Sequence, residues 1–129
     1  MGFLAKYTEQ LYAVLRIVSG FMFALHGVQK VFGLLGGTKA EAPLFIAAGW
    51  IELVGGILIA VGAFTPIVAF ICSGEMAVAY FKAHFPQSPW PVENQGELAA
   101  LYCFLFLYMA ARGSGIWSVD AALRGRNRR

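Results

Sequence analysis

Eight charged or titratable side chains lie within long apolar stretches of this chain: Arg16, His26, Lys30, Glu52, Glu75, Lys82, Glu97 and Arg112. Each charge inside a membrane span costs on the order of 2.5–3.5 kcal/mol on insertion scales. So many in a small chain imply partners for them and a polar site shared between helices. A histidine, two lysines and carboxyl groups gathered in one pocket can exchange protons and hold an anionic or carbonyl head-group. Glu52, Glu97 and His26 are the candidates for catalytic proton transfer. Lys30 and Lys82 are the candidate ligand-binding cations, and His84 and Asn94 would line the mouth of the pocket. Arg16 and Glu75 make a candidate structural charge pair, although Arg16 can also snorkel alone.

The elements that must position these groups are four apolar runs, at about residues 11–34, 44–64, 66–84 and 95–112. Each is long enough for a hydrocarbon layer about 30 Å thick. The chain is 59% hydrophobic and 13% charged, with a mean hydropathy of +0.66, which places it among integral membrane proteins. The expected fold is all-α: an integral membrane four-helix bundle forming a single domain over residues 1–129, with residues 113–129 as a basic tail. The first run is too long for a cleaved signal and carries Arg16, His26 and Lys30. Thr65-Pro66 reads as an N-cap followed by proline at the first helical position, which makes spans two and three a short αα-hairpin. The connections near 35–43 and 85–94 then share the opposite side, where Trp90 suits an interfacial anchor. Arg124, Arg126, Arg128 and Arg129 mark the tail, and with it both termini, as cytoplasmic.

Helical periodicity says which faces are buried. On the first span Arg16, Ser19, Gly20, Phe23, His26, Gly27, Lys30 and Gly33 fall within an arc of roughly 140°. On the second, Glu52, Gly55, Gly56 and Ile59 share a close-packing face. Cys72, Glu75, Ala79 and Lys82 share one on the third, and Glu97, Leu101, Phe104 and Tyr108 on the fourth. A faint two-helix repeat runs through the chain, with a glycine ahead of a glutamate in each second helix (Gly49 and Glu52; Gly96-Glu97).

Several functions are excluded by what the residues do not offer. The net charge of +3 comes mainly from the tail, without a basic face interleaved with aromatics, so nucleic acid is not a partner. Cys72 and Cys103 lack C-x-x-C or metal spacing and read as buried small hydrophobes. No metal set, bis-histidine haem pair or glycine-rich dinucleotide loop is visible, so no intrinsic cofactor is expected.

The stretches Arg16…Gly20…His26-Gly27-x-x-Lys30-x-x-Gly33, Trp50-Ile51-Glu52-Leu53-Val54-Gly55-Gly56, Gly74-Glu75-Met76 through His84-Phe85-Pro86, Pro91-x-x-Asn94-x-Gly96-Glu97 and Gly115-x-Trp117-Ser118-x-Asp120 resemble the DoxX family. These small four-helix proteins are related to DoxD. The resemblance implies a multi-pass bacterial inner-membrane protein linked to redox or oxidative-stress systems, and adds Trp50 to the ligand-binding candidates. The leading expectation is therefore a membrane subunit, of a quinone-linked oxidoreductase or a similar system, that binds a quinone or small oxidant near the outer face. It would work with a soluble or membrane redox partner. A proton-coupled transporter of a small solute, and a scaffold recruiting a soluble redox enzyme through the arginine tail, remain open, as does a homo-oligomer.

Overall fold

A computed structural model describes residues 2–127 and is entirely helical and irregular, without a strand among the described residues. The order is α1 (Gly2–Ala5), α2 (Thr8–Phe32), α3 (Pro43–Val61), α4 (Thr65–Ala79), α5 (Pro91–Asn94), α6 (Glu97–Arg112) and α7 (Val119–Asn127). One π-type turn, Tyr80–His84, extends α4. Three helices are long and apolar enough to cross a membrane: Thr8–Phe32, Pro43–Val61 and the continuous Thr65–His84. Glycines in the left-handed conformation end the first two of these, Gly33 at φ 68° and Gly62 at φ 73°, where a side chain would be strained.

The four long helices pack antiparallel around one core that includes Tyr12, Phe23, Ile59, Cys72, Tyr102 and Phe106. The expected faces of α2 and α3 are the buried ones. Where they cross, the backbones touch. A Cβ on Gly27 would lie 2.3 Å from the Leu53 nitrogen, and one on Gly56 2.5 Å from the Ala24 nitrogen. Only glycine permits that approach. α4 pairs in the same antiparallel sense with α6, as Ser73 Oγ–H donates to the Cys103 carbonyl at 2.7 Å. The molecule is thus two helix pairs, α2–α3 and α4–α6, which is the arrangement the faint repeat suggests.

Three expectations about this frame change. The face of α6 marked by Glu97, Leu101, Phe104 and Tyr108 is the exposed one, and Tyr102, Phe106 and Met109 face inward. This helix is apolar all round, so a pattern anchored on its one terminal carboxylate selected the wrong side. Thr65 is not the N-cap of α4. It is the first helical residue, its hydroxyl is buried without a partner, and Asp120 accepts from the N–H groups of Phe64 (2.9 Å) and Thr65 (3.0 Å) instead. The third concerns the start of the basic tail, residues 113–120. They fold back over the α3–α4 turn, where the Asp120 N–H donates to the Gly62 carbonyl at 3.0 Å. Arg124 and Arg126 lie on α7 beyond this clasp, and Arg128 and Arg129 lie outside the described residues.

Candidate functional site

The middle of the bundle holds the polar groups. Glu52 sits halfway along α3, and Glu75 halfway along the Thr65–His84 helix. Close packing of α3 on α4 at Gly55 and Cys72, where an added Cβ would meet Sγ at 2.5 Å, brings these two carboxyl groups side by side. Beyond that contact, away from the α3–α4 turn, the helices diverge around a cavity of about 590 Å³. Its polar lining is His26, Lys30, Glu52, Glu75, Lys82, His84 and Gln95, with the hydroxyl of Tyr102. Most of the rest is apolar, including Ile51, Ile71, Met76, Val78 and Leu98.

Lys30, near the end of α2, turns its ammonium back toward this floor. Nζ lies 2.6 Å from Oε1 and 2.7 Å from Oε2 of Glu52. The Lys30 side chain is 33% exposed and that of Glu52 only 2%, so the ion pair is what permits a carboxylate at this depth. Lys30, a candidate ligand-binding cation, is paired with Glu52 and also lines the cavity. Glu75 has no cation of its own; its buried carboxyl group lies against that of Glu52, to which it can donate when protonated. Two carboxyl groups therefore share one nearby cation. Tyr102, from α6, closes the back wall, with its ring stacked on Phe106 (centroids 5.3 Å apart) and set edge-on to His26 (6.3 Å). The residue is 5% exposed, yet its hydroxyl is without a partner.

At the upper end of the cavity the π-type turn presents Lys82 and His84. The i−5 bond that defines it runs from the Phe85 N–H to the Tyr80 carbonyl at 2.9 Å. Such single wide turns gather at functional sites because they re-aim the side chains that follow. Asn94 is fully buried but does not line the cavity. Its amide nitrogen donates to the Ser88 carbonyl (2.8 Å) and the Tyr80 hydroxyl (3.2 Å), and its Oδ1 accepts from the Gly96 N–H (2.8 Å). Its carbonyl lies 3.0 Å from His84 Nδ1. Asn94 organises the loop that fixes His84 rather than contacting a ligand itself.

The remaining candidates lie elsewhere. Glu97 is exposed at the start of α6 and outside the cavity. Trp50 is 49% exposed against Phe32, beside a separate hollow shared with Lys39. Arg16 does not meet Glu75. It is completely buried at the other end of the bundle, donating to the carbonyls of Ile59 (3.1 Å), Ile116 (3.0 Å), Trp117 (2.7 Å) and Ser114. Arg112 pairs with Glu9 and lies over the Tyr12 ring, 4.2 Å from its centroid. Tyr102 is the cavity-lining residue that periodicity does not single out; its signal is the i, i+4, i+7 set Tyr102, Phe106, Met109. Among the described residues, no group of His, Cys, Asp and Glu is gathered as a metal site.

Fold and site together define an all-helical membrane protein with a polar-floored cavity between its apolar helices. The DoxX family model matches residues 11–85, and the chain belongs to that family. An uncharacterised protein of Haemophilus influenzae is 44% identical over 128 residues, covering 93% of this chain and 96% of its own length. No solved structure matches.

Proposed function

We propose that the protein is the membrane subunit of a redox system and binds a quinone in this cavity. The observation that carries the reading is the unpartnered Tyr102 hydroxyl in the lining, with the Glu75 carboxyl beside Glu52 near it. Buried polar atoms are nearly always hydrogen-bonded, and a carbonyl-bearing head-group would accept from the Tyr102 hydroxyl and from Glu75 when that carboxyl carries a proton. A cavity of this size with apolar walls and a few converging polar groups suits a small organic ligand. In the reaction, a partner oxidoreductase delivers two electrons, two protons enter, and the quinone becomes the quinol. Glu75, which lacks a cation of its own, passes protons, with His26 and the Glu52–Lys30 pair beside it. Lys82 and His84 are placed to receive protons from the far end.

In this reading all four long helices span the inner membrane of a bacterium. At about 1.5 Å per residue α6 is roughly 24 Å long, and local thinning accommodates it, with Glu97 and Arg112 at its two interfaces. The cavity then lies beneath the outer loops, and both ends of the chain are cytoplasmic. The test is to extract the protein together with its surrounding lipid and identify co-purifying quinone by mass spectrometry. Quinone should be retained by the wild type and lost from Glu75→Leu, which removes the polar group and leaves the Lys30–Glu52 pair intact. Absence of quinone from the wild type, with solute uptake driven by a pH gradient, would overturn the proposal in favour of transport.

A further inference from the structure

The cavity has a side opening, and its position constrains what can use it. α3 and α4 touch at Gly55 and Cys72 and diverge beyond. On the α4 side the edge of the gap is Ile71, Gly74 and Val78; on the α3 side it is Leu44 and Phe45. Each of these five both lines the cavity and is exposed on the outer surface. Gly74 has no side chain to fill the gap, and a Cβ built on it meets no atom within 4 Å. Unlike Gly20, Gly27, Gly49 and Gly56, it is not a glycine that lets helices touch; it leaves a space.

The depth of that space is informative. Gly74 lies nine residues from Thr65, about 13 Å along a helix of roughly 30 Å, and is the chain neighbour of Glu75. The deep end of the opening, at Gly74, is therefore at the level of the polar floor, in the middle of an apolar helix and so in hydrocarbon, and from there the gap runs outward to Leu44 and Phe45 in the first turn of α3, about 11–12 Å beyond Glu52. A water-soluble solute would meet the most unfavourable part of the bilayer there. A molecule with a hydrocarbon tail would already be at home in it.

We infer that the gap at Gly74 is a lateral portal, and that the ligand is an amphiphile whose tail stays in the bilayer while its head reaches Tyr102 and Glu75. This rests on the reading of the cavity as a quinone site and deepens it: the substrate is a lipid-tailed quinone taken from the membrane, not a short soluble oxidant arriving through the loops. Leu44, Phe45, Ile71 and Val78 would grip the first part of the tail. Lys82 and His84 would remain on the water side of the head, as the route for protons.

The experiment uses detergent-purified full chain, as wild type, Gly74→Ala and Gly74→Leu, each first checked for an unchanged thermal midpoint. Binding is measured for 2,3-dimethoxy-5-methylbenzoquinone and for its decyl-tailed derivative. In the wild type and in Gly74→Ala the tailed probe should bind at least roughly tenfold more tightly, since each buried methylene is worth about 0.8 kcal/mol. Gly74→Leu should lose that advantage for the tailed probe while keeping the tail-less one within about twofold, since a leucine side chain fills the gap and not the floor. Equal loss of both probes, no loss of either, or no tail preference in the wild type would each overturn the portal alone. Failure of the wild type to bind either probe would overturn the quinone reading and the portal together. Should Gly74→Leu fold poorly, the same comparison is made with Ile71→Phe, on the same edge.

Discussion

Replacing Tyr102 with phenylalanine should move stability and ligand binding in opposite directions. The ring is held by Phe106 at 5.3 Å and Phe23 at 5.1 Å between centroids, and phenylalanine keeps both contacts. What leaves is one hydroxyl, in a residue 5% exposed and without a hydrogen-bond partner. A buried unsatisfied hydroxyl costs about 1–3 kcal/mol. Removing it from the empty protein should therefore stabilise the fold by about 1 kcal/mol, at the lower end because the group borders a cavity. With a quinone bound, the same hydroxyl donates to a carbonyl, and a neutral hydrogen bond of about 1 kcal/mol corresponds to roughly fivefold in Kd. Thermal unfolding in detergent without quinone, followed by titration with a decyl-tailed benzoquinone, measures both effects. A variant that is less stable when empty, with unchanged affinity, would show that the hydroxyl serves packing, and the reasoning would be wrong.

Three further outcomes follow from the same geometry. Lys30→Met strands the nearly inaccessible Glu52 carboxylate and should cost about 3–5 kcal/mol, whereas Glu52→Gln leaves a lysine one-third exposed to water and should cost about 1 kcal/mol; the double variant should recover most of the loss, as read by unfolding midpoints. Gly27→Ala drives a methyl group into the Leu53 backbone and should destabilise by about 3 kcal/mol or more, while Gly74→Ala, with open space around it, should be neutral or slightly stabilising by the same measurement. Asp120→Ala should cost about 1–2 kcal/mol through loss of the α4 cap and expose residues 113–127 to limited proteolysis, and Asp120→Asn, with one acceptor oxygen for two N–H groups, should restore protection only in part.

The fold was largely legible because α2 and α3 carry two independent signals that agree. Polar residues and glycines fall on one face of each, and bulky apolar side chains on the other. The site was legible to the extent that its charges sit on those faces: His26, Lys30, Glu52, Lys82 and His84 do line one cavity. Glu97 misled because α6 has apolar residues on every side, so nothing in the pattern opposed a charge at its first turn. The Arg16–Glu75 pairing failed for a different reason. Arginine satisfies its five donors as readily with carbonyls as with a carboxylate, and the four carbonyls that take them lie 43, 98, 100 and 101 positions away in sequence. Asp120 was similarly hidden, since local rules look for a helix cap in the residues beside the helix and this one comes from 55 residues downstream.

The clasp between Arg16 and residues 114–117 has a consequence for how the protein is made. Phe64 and Trp117 take left-handed backbone angles, φ 54° and 56°, at a cost of about 1–3 kcal/mol each. The Phe64 N–H is held by Asp120 and the Trp117 carbonyl by Arg16. Both anchors need a segment that leaves the ribosome after every long helix. During synthesis α2 must therefore enter the bilayer with a guanidinium that has no final partner, and α4 with a bare amino end. Neither is satisfied until residues 113–120 arrive. The bundle is closed by a segment made after its four long helices, so a nascent chain stopped short of Ser114 would keep a guanidinium in α2 without most of its final partners.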